Sequence, residues 1–111
     1  MTEHSAHKAL TDLIAQQEAQ IRSLGDTATP VAPDSALGRL TRVDAMQEQQ
    51  RALAAIRAAE IRIAQAQGAL RALENGDYGE CRMCGGDIEK ARLSARPEAP
   101  LCLECQQERE N

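Results

Sequence analysis

CRMCGGDIEKARLSARPEAPLCLEC, residues 81–105, holds all four cysteines of the chain as two Cys-x-x-Cys pairs with 17 residues between them. That spacing is the one expected of a four-cysteine zinc site. Each pair offers two thiolates from one tight turn, and two such turns close a tetrahedron. Gly85-Gly86 follows Cys84 directly. Glycines there let the backbone bend round an ion and aim its N–H groups at the sulfurs. The expected cofactor is one Zn²⁺ per chain, held by Cys81, Cys84, Cys102 and Cys105. Four protein ligands leave no open position for water or substrate, so the ion reads as structural. Two disulfides would need an oxidising compartment. A thioredoxin-like redox motif would need a βαβ context, which this sequence lacks. Four unligated thiols would leave residues 76–111, with few large apolar side chains, nothing to fold around.

Upstream the texture changes. Asn75-Gly76 is a helix stop with glycine at the left-handed position. The stretch 36–74 before it has no proline and predicts one helix of roughly 55–60 Å at 1.5 Å per residue. Leu37, Leu40 and Val43 start its stripe. Ile56, Ile63 and Leu70 then recur every seven residues, with Ala59, Ala66 and Leu73 three residues after each, an a/d seam with alanine at its tight positions. Residues 25–35, GDTATPVAPDS, break any helix, and Asp34 or Ser35 can cap the next one. Before them, Leu10, Leu13, Ile14, Ile21 and Leu24 form an apolar stripe over residues 4–24, interrupted by Gln17. A proline-rich connector favours reversal over two helices of a larger bundle or homodimer. The predicted fold class is all-α: an antiparallel coiled-coil hairpin over 1–75, connector 25–35, then a four-cysteine zinc-finger module over 76–111. The shorter first helix is expected against the first half of the second, leaving the second half to lean on something else.

Composition narrows the function. The chain has 111 residues and carries 13 Lys+Arg against 17 Asp+Glu, a net charge of −4. Four thiolates and one Zn²⁺ would bring it to about −6. A free-standing nucleic-acid binder presents a basic excess instead. Tyr78 is the one aromatic residue, so a thick central core is not expected. No apolar run approaches the roughly 18 residues of a membrane span. No basic-then-apolar start suggests a secretory signal. The expectation is a reduced, cytoplasmic protein, a monomer without membrane contact.

Residues 73–106 resemble the DksA/TraR family of bacterial transcription factors. The matching positions are Leu73, Gly76, Tyr78-Gly79, Cys81, Cys84-Gly85, Ile88, Arg92-Leu93, Ala95-Arg96-Pro97, Cys102 and Cys105-Gln106. The length and short first helix look like the smaller members. The resemblance implies a regulator that binds RNA polymerase directly and not promoter DNA. Its coiled coil would enter the secondary channel, with the zinc module anchored at the rim. It further implies an acidic tip near the catalytic region. Better-known members carry Asp-x-x-Asp-x-Ala there; here Asp44-Ala45 is the nearest match, with Thr41 in place of the first acid. Hairpin geometry puts the turn itself nearer Asp26 to Asp34, with Asp44 two turns down the second helix. Guanosine tetraphosphate, the nucleotide of the stringent response, is the implied co-regulator. Arg96, and beside it Arg92, match the basic side of its site, whereas Gln106 stands where many members carry Lys. The alternative for both arginines is an ion pair with Glu89 or Glu98.

Two other functions compete. A Gre-type transcript-cleavage factor shares the coiled-coil plan, but needs adjacent acids to hold a catalytic Mg²⁺. The connector has no adjacent acids. A zinc-ribbon DNA-binding module would need a basic face. An enzyme is the weakest reading, since no His, Ser or carboxylate cluster makes a catalytic set.

Overall fold

Leu10, Leu13 and Ile14 fall on one face of a 25-residue helix, α1 (Glu3–Thr27), and that face finds a second helix, α2 (Arg39–Asn75, 37 residues). A computed structural model describes residues 3–27 and 39–110. The two helices pack against each other as an antiparallel pair, and the molecule's longest dimension is 57 Å. Leu10 and Leu13 bury against Ala66 and Ala69, flanked by Leu70 and Leu73. The alanine seam is where the sequence puts it: Ala59 and Ala66 are buried, while Ile56, Ile63 and Leu70 are half-buried around them. Small residues at these positions let the α1 leucines sit deep, so the core is thin. Gln17, the break in the α1 stripe, is also buried.

The register differs from the expectation. The α1 helix lies on the second half of α2, beside the cysteine-bearing module: Leu10 meets Ala66 and Ala69, and Ile21 shares a groove with Ile63. The strongest knobs of α1 lie in its first half, and the alanine holes of α2 lie in its second, so an antiparallel pair brings these together. The connector need not force adjacent helix ends to meet. Near the start of α2, Val43 and Met46 remain exposed. The α1 helix also runs on through Gly25 to Thr27. A single glycine costs a helix only about 1 kcal/mol, too little to end it at Gly25. The expected caps Asp34 and Ser35, and residues 36–38, lie outside the described residues.

Gly76 ends α2 as expected, with φ +78°. Its N–H donates to the Leu73 carbonyl at 3.3 Å, and the Asp77 N–H to that of Ala72 at 2.8 Å. This is a Schellman closure, which satisfies two terminal carbonyls. The chain then makes a short hairpin with one isolated antiparallel bridge, Glu80–Asp87. Two short helices follow, α3 (Lys90–Ala95) and α4 (Leu103–Glu110). Ile88, Leu93 and Leu101 pack with Cys81, Cys102 and Cys105 into a second small core. Tyr78 packs against both cores and joins them. Among the described residues no helix is long and apolar enough to cross a membrane.

Leu10→Ala should therefore destabilise the hairpin by about 2–5 kcal/mol, the usual range for a buried leucine. Ile61→Ala, at a residue that is 59% exposed, should stay within about 0.5 kcal/mol of the parent. Denaturant unfolding followed by circular dichroism checks both values.

Candidate metal centre

The four cysteine sulfurs all lie within 4.8 Å of one another. Cys84 Sγ and Cys102 Sγ are 4.0 Å apart, close to the edge of about 3.8 Å expected for a tetrahedron with Zn–S bonds of about 2.3 Å. All four cysteines are free of disulfides. Two local structures bring them together. In the first, Gly85 adopts φ +75° and its N–H donates to the Cys81 carbonyl at 2.9 Å. Cys81 N–H returns to the Gly86 carbonyl at 2.7 Å, and Gly86 N–H points at Cys84 Sγ at 3.4 Å. In the second, Cys102 sits at the N-terminus of α4. Its sulfur accepts the Cys105 N–H at 3.5 Å, as a capping oxygen would. The Arg82 N–H donates to the Pro100 carbonyl at 3.0 Å and ties the two structures together.

Their electrostatics also call for a cation. The N–H of Cys84 aimed at the Cys81 sulfur, against an opposing effect of burial, pulls the Cys81 thiol down to about 6. Hydrogen bonding to Cys102, reinforced by burial, pushes the Cys105 thiol well above the ordinary thiol range. The cluster thus favours one thiolate and resists the last. A divalent ion removes that conflict, since each ligand must be a thiolate. The donor set, the spacing and the sulfur-directed N–H groups fit one structural Zn²⁺.

Around the cluster, Arg92 is half-buried and its Nε donates to the Leu101 carbonyl at 2.9 Å. Arg96 is exposed at the end of α3. The two arginines line one groove of about 550 Å³ with Glu89, Ala91, Ala95 and Leu103. Asp44 is exposed on α2 and Ala45 half-buried. Asp34 lies outside the described residues.

Sequence reasoning missed the polar tie between rod and module. Glu98, 1% exposed, accepts from Arg62 Nε at 3.0 Å. Glu98 is therefore committed to Arg62 of α2 instead of to Arg92 or Arg96. A signal was present: Glu98 stands in Pro97-Glu98-Ala99-Pro100-Leu101, among residues that bury. Nothing distinguished Arg62 from its neighbours on α2. The Tyr78 hydroxyl donates to the Pro97 carbonyl at 3.0 Å. Burial, then the nearby Glu98 carboxylate, raises its pKa above the usual phenol value. A Cβ at Gly68 would lie 2.7 Å from the Arg82 guanidinium, the movable end of a flexible side chain.

Freshly purified reduced protein should contain one zinc per chain by metal analysis. Chelation, or acidification that protonates the thiolates, should release it and unfold residues around the cluster while most helical signal persists. Gly85→Ala, which meets no atom but forces a left-handed backbone, should cost about 1–3 kcal/mol and weaken zinc retention in a chelator competition.

Comparisons with known proteins agree with this geometry. The prokaryotic dksA/traR C4-type zinc finger matches residues 76–111. The RNA polymerase-binding transcription factor DksA of Escherichia coli K12 is 47% identical over 36 residues, 32% of this chain and 24% of that protein. The Caulobacter vibrioides protein of the same name is 48% identical over 42 residues, 38% of this chain and 30% of its own. These matched segments span under a third of the curated relatives. The solved structure of transcription factor DksA2 from Pseudomonas aeruginosa is similar with a TM-score of 0.66 and 27% identity, over 97% of this chain and 79% of that one. The chain is thus similar to the DksA/TraR family, in sequence over the zinc finger and in fold over the helical pair.

Proposed function

We propose that this protein is a non-enzymatic transcription regulator that binds bacterial RNA polymerase directly, through the secondary channel. The supporting observation is the combination in one short chain of a four-thiol base and a thin helical rod, in a fold similar to that of DksA2 over 97% of this chain. On this reading the four cysteines are the zinc ligands and the zinc-bearing end stays at the channel rim. The start of α2 is the end that reaches inward. The net charge of −4 suits a channel lined with positive charge and argues against promoter DNA as a direct partner. The protein works as a cytoplasmic monomer.

The regulatory contact falls on residues 34–45, and most on Asp44. Its exposed carboxylate can act on a channel that handles Mg²⁺ and nucleotide phosphates, while the rod only positions it. Arg96 and Arg92, in their shared groove, are the groups for guanosine tetraphosphate at the polymerase interface. Arginine offers phosphate a bidentate contact. With Arg92 Nε occupied by the Leu101 carbonyl, Arg96 has the larger share.

Purified polymerase should retain the zinc-loaded protein in a pull-down, and transcription from a ribosomal-RNA-type promoter should change with it. Asp44→Asn should keep fold, zinc and polymerase binding but lose most of the transcriptional effect, and Ala45→Thr should act similarly. Because asparagine caps a helix about as well as aspartate, Asp34→Asn should behave as the parent. Failure of Asp34→Asn with normal Asp44→Asn would move the tip into the connector. Arg96→Ala should reduce any response to the nucleotide, and that response should be weaker than in members with Lys after the last cysteine. RNA cleavage in backtracked complexes, or gel-shift binding to promoter DNA without polymerase, would contradict the proposal.

A further inference from the structure

We infer that the Arg62–Glu98 pair couples zinc occupancy to the docking of the cysteine module on the rod, so that a residue of α2 sets the zinc affinity. Glu98 lies almost wholly buried, with Oε2 on Arg62 Nε at 3.0 Å and Oε1 buried without a hydrogen-bond partner. One cation from another element therefore holds a buried, half-satisfied carboxylate. Removing one partner from such a pair is costly, whereas replacing both with apolar residues is close to neutral.

The segment that presents Glu98 is fixed by residues around the metal cluster. Tyr78 Oη donates to the Pro97 carbonyl, Arg82 N–H to that of Pro100 and Arg92 Nε to that of Leu101. Arg82 lies between Cys81 and Cys84, and Cys102 follows Leu101. Zinc closing the two cysteine turns thus holds both sides of the contact that keeps Glu98 against Arg62. Once the turns part, the loop relaxes, the carboxylate meets water and Arg62 is released. Coupling is reciprocal, so Arg62 must also strengthen zinc binding. Its position lies outside residues 76–111, which the zinc-finger family covers. The inference rests on the cysteines holding zinc, and it is independent of polymerase binding.

Zinc affinity of the full chain, measured by chelator competition, tests the coupling. Arg62→Met should bind zinc more weakly, on the order of tenfold, within the usual range for coupled sites. Arg62→Met combined with Glu98→Met should recover most of the loss, because no buried charge is left unpaired. Arg57→Met, at an exposed position of the same helix, should match the parent. In the parent, chelation should speed amide exchange around Arg62; this arm does not depend on any variant folding. Parental zinc affinity in Arg62→Met would overturn the coupling. So would a loss that the double variant fails to recover, or unchanged exchange around Arg62 on chelation. Absence of zinc from the parent would instead overturn the metal assignment on which the inference rests.

Discussion

Four thiols with sulfurs within 4.8 Å of one another cannot all ionise without a cation among them, and the cysteine module depends on that constraint. Its apolar contribution is small: Ile88, Leu93 and Leu101 are the large aliphatic residues that bury beside three of the cysteines. An ion held by four thiolates supplies the cohesion that burial does not. From this point order spreads outward. The metal turns fix Arg82 and Cys102, the Arg82 N–H holds the Pro100 carbonyl, and the segment presents Glu98 to Arg62 of α2 and the Pro97 carbonyl to Tyr78.

The helical pair is built by a different economy. Alanines at 66 and 69 admit the α1 side chains so deeply that two helices suffice, and Leu10 becomes fully buried without a third layer. A thin rod has little surface to spare for attachment. It joins its base at the second half of α2, where α1, Tyr78 and Glu98 all converge. The opposite end keeps Val43 and Met46 exposed and Asp44 in solvent. This division, a fixed base and a presented end, is what makes the channel-insertion proposal physically coherent.

Much of this was legible in the residues, and for different reasons. The Cys-x-x-Cys spacing and Gly85 are local rules, so the thiol cluster and its left-handed glycine could be read directly. Gly76 obeyed a local rule as well. The α2 seam was legible through its seven-residue repeat. The register of α1 was not, because apolar stripes mark a face without saying which part of a longer partner it covers. The partner of Glu98 was not legible for a related reason: an ion pair spanning 36 positions leaves no periodic trace. Among the similar arginines of α2, only the folded loop selects Arg62.

Site-specific photo-crosslinking from the distal end of the rod tests the central claim most directly. Gln47, exposed on α2, would carry the photoreactive side chain in zinc-loaded protein mixed with polymerase and promoter DNA. Crosslinks to the polymerase subunits that wall the secondary channel, lost when zinc is removed, are the expected result. Crosslinks to promoter DNA alone, or polymerase crosslinks confined to the outer surface, would contradict insertion of the rod.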